Sequence, residues 1–561
     1  MFRFDKMHVL DKKQCNHDYY NLTGVGLNID SITIGKEGYV KGWQLATIRE
    51  EISGDTIDEL VEKLKCIKEQ LNLEKHSDYN KDILCVYVNN LDKAYGFLHN
   101  YDNNIEKFGE YYFDIFDCIE IRDITHFFTD NVDTAEDIAF RAQHLIDDVF
   151  EKDKYFYITP TQMVIRRIRK NCNDDLAEKI FPESPITYND LMSAYFGGFC
   201  ICSYPGLIVD DFKTVEYDRT SAYIYDLLIE KHVCEPMHSA DPEHFQYYID
   251  NSDKYFALCE LEIKCGGLKR GADLFKQFST TRKKIEPYKS NIIMVTNTDY
   301  EVLRSLVEVL DVKCRYIQVA KKDYLPRYVA EIIEQQYIEK VKNPTVLNKI
   351  KVNSIYGATV KKITNFKEAK NGATLAPQWG VLTTSYARKN LLTLASKLRN
   401  WLYTDTDSII CEFCEENEQL VELYNHQIQN RVYEYCTKFG LDYQLFKDLG
   451  TFKRKKIMKK FKANGKKQYM YTLEDGTFVF KGSGINGIND ESAYEGNIDT
   501  GYKVRRHISD KKVSRVIDGV EYTSNGFYWE SKGKLDDLTE LAAMYAEIES
   551  TRRKRVWQRM I

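Results

Sequence analysis

The sequence lacks the marks that assign many chains at once. It has no large excess of either charge: 79 basic and 85 acidic residues leave a net charge of −6, so bulk electrostatics announce no phosphate-binding surface. It has no cysteine framework either. Its 14 cysteines are scattered, and Cys411 and Cys414 form a Cys-x-x-Cys without a second pair, which argues against a zinc module and leaves reduced thiols as the expectation. The opening residues, Met1 to Lys6, carry none of the apolar run of a secretory signal, and a cytoplasmic location is expected. The stretch 191–209 has no charged residue, yet Gly197, Gly198, Pro205 and Gly206 break it up. It reads as two buried strands with turns, and no membrane partner is expected. Internal repeats and low-complexity tracts are absent as well.

What is present is a chain of 561 residues, 43% hydrophobic and 29% charged, long enough for about two to four domains with cores of their own. It holds 40 tyrosines, rings that suit stacking on bases and sugars and suit ordinary cores equally. Basic charge is concentrated locally. Residues 453–467 hold nine Lys or Arg and no acid, 552–559 hold five more, and 165–170 read Ile-Arg-Arg-Ile-Arg-Lys. Such stripes either track phosphates or form a solvated face.

Periodicity predicts an α/β region over 1–185, with strands at 83–88 and 112–121 and helices at 55–71 and 134–150, ending near Pro182 and Pro185. Beyond it, a strand at 213–217 runs into Asp218 and a helix at 221–231. A long helix over 326–357 is interrupted near Asn343-Pro344, and another covers 384–400. The last sixty residues read as turn-rich β material followed by a charged helix at 536–558.

Three segments carry chemistry. Tyr403-Thr404-Asp405-Thr406-Asp407-Ser408 has the pattern strand, tight turn, strand, with two carboxylates at its tip. Crowded carboxylates repel unless a cation lies between them, which marks a divalent-metal site; Asp and Thr also suit a solvated Asx turn. In Val215 to Tyr223, Asp218 ends an apolar strand before a helix opens, so a second segment can reach the same cation, and the helix N-terminus offers donors to phosphate. In the third segment Lys349, Asn353 and Tyr356 lie at i, i+4 and i+7. A cation, an amide and a ring on one helix face form a strip for a nucleotide.

In this order the three segments resemble the palm and fingers motifs of family B DNA polymerases, and more finely those of the small protein-primed phage enzymes. Tyr195-Phe196-Gly197-Gly198 is similar to the family's Tyr-x-Gly-Gly linker motif, Thr384-Ser385-Tyr386-Ala387-Arg388 to its Thr-x-x-Ala-Arg template motif, and Lys467-Gln468-Tyr469 to its Lys-x-Tyr primer motif. The long segment 224–340 fits the family's terminal-protein insertion.

The resemblance implies an α/β (α+β) chain. An RNase H-like, exonuclease-type domain would cover 1–185 and a right-hand polymerase 186–561. Within the latter the palm would take 186–230 and 384–450, the insertion 231–325, the fingers 326–383 and the thumb 470–561. It implies nucleotidyl transfer with two Mg²⁺ ions, or Mn²⁺ in their place, held by Asp218 and Asp407 with Asp405 in support. Lys349 would neutralise the triphosphate and help protonate the leaving group. Lys340, Ser221, Arg219, Asn353 and Tyr356 would line the nucleotide site, with Tyr223 as the wall that rejects a 2′-hydroxyl. Ser221-Ala222-Tyr223-Ile224 stands where the family has Ser-Leu-Tyr-Pro, so the ring persists while its neighbours change. Tyr195, Gly197, Gly198, Thr384, Arg388, Lys467 and Tyr469 would face DNA. Expected partners are template, primer, deoxynucleoside triphosphates and a terminal protein, with the chain a monomer.

The likeness fails in the first domain. The exonuclease Asp-x-Glu falls on Asn28-Ile29-Asp30, and Asn-Leu-x-x-Asp falls on Asn90 to Ala94, with Ala94 at the carboxylate position. The third motif keeps Asp137 but has Asp133 in place of its tyrosine. Proofreading is therefore expected to be absent. Only 26 residues separate Gly357 from Thr384, shorter than the family's strand-displacement loop, so weak displacement is expected. The leading reading is a viral or mobile-element replicase. The alternatives are a repair, defence or template-independent polymerase on the same fold and, from another class, a non-catalytic nucleic-acid scaffold, against which the persistence of Asp218, Lys349, Asp405 and Asp407 argues.

Overall fold

The computed structural model describes residues 18–19, 25–34, 37–47, 49–77, 80–99, 107–108, 112–125, 127–128, 134–147, 159–268, 286–361, 363, 365–482, 491–495, 502–506, 513–517, 520–524 and 529–533. Packing divides the chain into two units, Met1–Met163 with Lys503–Gly533, and Val164–Tyr502 with Lys534–Ile561.

The first unit is built on a mixed sheet. Its strand β1 (Gly26–Ile34) runs antiparallel to β2 (Glu37–Ala46). Helix α1 (Ile57–Gln70) starts at a capping box made by Thr56 and Glu59, and its Leu60, Val61, Leu64 and Ile67 form one buried stripe. Strand β3 (Asn80–Val88) pairs parallel with β1 and is followed by α2 (Leu91–His99). The expected strand over 112–121 is two strands, β4 (Tyr112–Ile115) and β5 (Ile119–Asp123). Phe116 and Asp117, at φ 55° and 60°, turn the chain between them. The order β2-β1-β3-β5-β4 follows. Leu84, Val86, Ile119 and Ile121 pack beneath the stripe of α1 and the apolar residues of α2. Helix α3 (Ala135–Leu145), capped by Thr134, crosses β1 so closely that a Cβ at Gly26 would meet Ala135 O at 2.2 Å.

This sheet also takes chain from far along the sequence. Strands at 513–517 and 520–524 pair with each other, and Ser524 pairs with Tyr39 of β2. Residues 503–533 therefore belong with the first unit, although the resemblance placed them in a thumb; strand pairing across such a separation leaves no local mark. The helix expected over 536–558 lies outside the described residues.

The second unit begins at Val164, within α4 (Pro160–Asn171), whose Val164 and Ile168 share a core with Ile180 and with Leu191 of α5 (Pro185–Ser193). Pro182 and Pro185 thus lie inside this unit. After α5 the charge-free stretch holds one three-residue strand, β6 (Cys200–Cys202), and a short pair at Ile208–Val209. Strand β7 (Thr214–Arg219) leads into α6 (Ala222–Leu228). Then β8 (Tyr255–Leu268), β9 (Ser290–Thr296), α7 (Asn297–Leu306) and β10 (Val307–Asp323) form an antiparallel sheet with β8 at its centre.

The expected long helix is two, α8 (Arg327–Lys342) and α9 (Val346–Thr359). Pro344 removes a donor and forces Asn343 out of the helical region. Helix α10 (Pro377–Ala395) starts earlier than expected, with Pro377 in its first turn. It is buried nearly all round, Trp379 and Leu382 in one core and Leu391, Leu392 and Leu394 in another. The hairpin β11 (Tyr403–Asp405) and β12 (Ser408–Glu412) precedes α11 (Glu415–Phe439). Strands β13 (Phe452–Gly465), β14 (Gln468–Leu473) and β15 (Phe478–Gly482) complete the principal sheet, in the order β6-β11-β12-β7-β13-β14-β15. Among the described residues, no helix is long and apolar enough to cross a membrane.

Candidate active site

The site forms where two strand ends meet. Asp405 pairs with Ser408 across the hairpin, leaving Thr406 and Asp407 as a two-residue turn. Thr406 sits at φ 63°, a strained region for a β-branched residue. The turn is braced on three sides. Thr406 N–H donates to Phe199 O at 3.0 Å, Asp407 N–H to Asp405 O at 2.7 Å, and Arg219 N–H to Asp407 O at 2.9 Å. Asp218 lies opposite Ser408 on the adjoining strand, so β7 and the hairpin bring the carboxylates of Asp218 and Asp407 to one sheet edge. Gly198 closes the back of the turn: a Cβ there would lie 2.6 Å from Thr406 Cγ2, whereas one at Gly197 meets nothing within 4 Å.

Three carboxylates crowd this edge. Burial pushes Asp407 up to about 6, with Asp218 and Asp405 adding to the shift and Arg219 opposing it. Two ammonium groups partly compensate. Lys467 Nζ donates to both Asp405 oxygens at 3.0 and 3.2 Å, and Lys455 Nζ lies 3.4 Å from Asp218 Oδ2. Among the described residues, no three acidic, His or Cys side chains converge into a closed ligand cage. The donor set nevertheless fits a hard divalent cation. It offers carboxylate oxygens on adjoining segments, one of them half-buried and raised by desolvation and then by its like-charged neighbours. Asp218 and Asp407 would hold it, with Asp405 beside them.

Over this edge lies an aromatic wall. Tyr223 and Tyr356 stack with centroids 4.1 Å apart at 20°, and Tyr195 OH is 3.3 Å from Tyr356 OH. Burial raises the Tyr223 phenol, and Tyr356 and Asp407 add to it. Ser221, at φ 50°, opens α6 and accepts a bond from Lys340 Nζ. Lys340 is lowered by burial, then by Lys349; Asp218 opposes this and Lys455 adds to it. Lys349 and Asn353 are exposed on α9, with half-buried Tyr356 one turn further on. The structure thus brings together Asp218, Ser221, Tyr223, Lys340, Lys349, Tyr356, Asp405 and Asp407.

Other expected residues stand elsewhere. Arg219 does not face this edge. Strand alternation turns it inward, fully buried, onto Asp226 through bonds of 3.0 and 2.9 Å. Thr384 is buried within α10 and donates to Gly380 O and Val381 O. Arg388 is buried too, bound to Asp299 at 2.7 and 2.8 Å, to Ser385 Oγ, and to the carbonyls of Phe196 and Gly197. Neither side chain reaches solvent; Arg388 instead braces the linker that braces the turn. Lys467 turns at φ 58°, its N–H donating to Tyr403 OH at 2.9 Å, and the Tyr469 ring lies 5.1 Å from that of Tyr403.

Sequence reading missed Asp299, Phe199 and Lys455. The first two act through contacts of long sequence separation, and Lys455 is one of nine similar residues in its run.

In the first unit, Asn28 is half-buried on β1 opposite Gln44, Ala94 is buried on α2, and Asp137 is exposed in the first turn of α3 with its N–H capped by Thr134. The Asp30 side chain and Asp133 lie outside the described residues.

No protein-family model matches the chain, and no curated protein does. Solved structures do match. Phi29 DNA polymerase bound to primer-template DNA in a post-translocation binary complex aligns with a TM-score of 0.62 at 15% identity, over 91% of this chain and 99% of that one. The same polymerase with primer-template DNA and incoming nucleotides aligns at 0.56 and 15%, over 92% and 100%. With single-stranded DNA it aligns at 0.58 and 16%, over 91% and 98%. At such identity the likeness establishes the fold: this chain has the fold of the phi29 enzyme along nearly its whole length.

Proposed function

We propose that this chain is a template-directed DNA polymerase that replicates a viral or mobile-element genome from a protein primer. The observation that carries the reading is the meeting, at one sheet edge, of Asp218 and Asp407 with the Tyr223–Tyr356 stack and the ammonium groups of Lys340 and Lys349. The fold shared with a polymerase that binds primer-template DNA and nucleotides supports it.

In this reading the carboxylates of Asp218 and Asp407 hold Mg²⁺, with Mn²⁺ as a substitute, and Asp405 flanks the primer end. The bound ions would supply Lewis acidity for the primer hydroxyl and charge neutralisation for the pyrophosphate. Lys340 and Lys349 bind the triphosphate, and Lys349, being exposed, is placed to donate a proton to the leaving group. Tyr223 lies against the sugar and Tyr356 beneath the base pair. Gly198 and Phe199 hold the turn, so that Asp407 needs little rearrangement as charge develops. Asn28 and Ala94, where carboxylates would be required, support the loss of 3′–5′ proofreading.

Primer extension on DNA and RNA templates, with and without a candidate terminal protein, tests the reading. Asp407→Asn should abolish extension, and retention of activity would sink the proposal. Omitting template distinguishes a template-independent enzyme. A mismatched primer held with Mg²⁺ and no nucleotide should stay full length.

A further inference from the structure

Two consecutive lysines of β13 reach carboxylates on the same face of the principal sheet. Lys456 pairs with Glu216 at 2.6 Å and Lys455 with Asp218 at 3.4 Å. Glu216 and Asp218 are two residues apart on β7 and therefore share a face, whereas neighbouring strand residues normally point to opposite faces. The register supplies the reason. Glu216 pairs with Lys456 but Tyr217 pairs with Arg454, so Lys455 is the extra residue of a β-bulge. The bulge sends Arg454 away to Glu418 at 2.7 Å and brings Lys455 round to the carboxylate edge.

Its immediate neighbours have partners elsewhere. Lys453 is held by Asp448 at 2.7 Å and Lys456 by Glu216. Lys455 instead lies at Asp218, and Lys349, Asp218 and Lys455 all act on the charge of Lys340. Lys340 thus feels two further ammonium groups, from α9 and β13, as well as the Asp218 carboxylate. The Lys455–Asp218 pair is open to solvent on both sides, 52% and 37% exposed, so it is weak enough to exchange.

We propose that Lys455 is an exchangeable counter-ion and a further triphosphate-binding residue. It neutralises Asp218 while no cation is bound, and turns its ammonium to the phosphates of the incoming nucleotide when a divalent cation takes that carboxylate. The inference rests on the polymerase reading above, but its test needs no turnover.

The full chain without DNA is titrated with Mn²⁺, free ion being followed by electron paramagnetic resonance. Binding of dATP is then measured by equilibrium dialysis at saturating Mn²⁺. Lys455→Gln removes the competing cation, so Mn²⁺ should bind about threefold or more tighter, while dATP binds about tenfold weaker. Lys455→Arg keeps the charge and should retain dATP binding, and Lys456→Gln should change neither. Unchanged or weaker Mn²⁺ binding in Lys455→Gln overturns the proposal, as does unchanged dATP binding, or the same response from Lys456→Gln. Loss of the polymerase reading would show separately, as a wild-type chain that binds both ligands but extends no primer.

Discussion

Arg388 grips both carboxylate oxygens of Asp299, at 2.7 and 2.8 Å, and neither side chain reaches solvent. The pair joins α10 to the start of α7, and the remaining guanidinium donors hold the carbonyls of Phe196 and Gly197. From there Phe199 and Gly198 reach the turn that carries Asp407.

Removing either partner strands a buried charge. Asp299→Asn and Arg388→Gln should each cost on the order of 3–5 kcal/mol of stability, seen as a lower midpoint in denaturant unfolding. A residue whose role was to bind template would lose DNA affinity without that loss of stability.

Gly198 and Gly197 should differ sharply as alanine variants. Gly198→Ala forces its Cβ against Thr406 and displaces the carboxylate turn; a shift of about 1 Å there should lower the primer-extension rate on the order of a hundredfold. Gly197→Ala meets no neighbouring atom within 4 Å and should retain the rate within about twofold. Equal losses in single-turnover measurements would remove Gly198 from this role.

The Tyr223–Tyr356 stack predicts a sugar filter. Tyr223→Ala should raise ribonucleotide incorporation relative to deoxyribonucleotide by about tenfold or more, while Tyr223→Phe keeps the ring and the discrimination. Competition between the two nucleotide types during extension measures the ratio.

His232 predicts an acid limb in stability. Burial holds its imidazole down to about 4, with Lys322 lowering it further and the Asp226 carbonyl opposing. A histidine depressed on folding contributes fully above its unfolded value near 6.5, and the contribution is lost as pH falls toward 4. The difference is on the order of 3 kcal/mol for this fully buried ring. His232→Gln should flatten that limb in unfolding measured from pH 7 to 4.

How far each feature was legible depends on the distance between the residues that make it. The break at Pro344, the α1 stripe and the Asp405–Asp407 turn were all readable, because proline geometry, helical period and turn chemistry act over a few residues. The inward faces of Arg219 and Arg388 were not. An arginine in a motif looks the same whether it meets a phosphate or a buried carboxylate, and Asp226 and Asp299 lie seven and 89 residues away. The strands at 513–524 were readable as strands, but not as part of the first unit's sheet.

The sequence by itself determined Asp218, Asp405 and Asp407 as candidate cation ligands and the helix strip of Lys349 and Tyr356, since side-chain chemistry at a fixed spacing is local information, while Asn28 and Ala94 stood out only through the family resemblance. Only the tertiary structure decided which cations face those carboxylates. Strand register and one bulge select Lys455 from a run of nearly identical residues, and register is a property of two strands that no single stretch of chain contains.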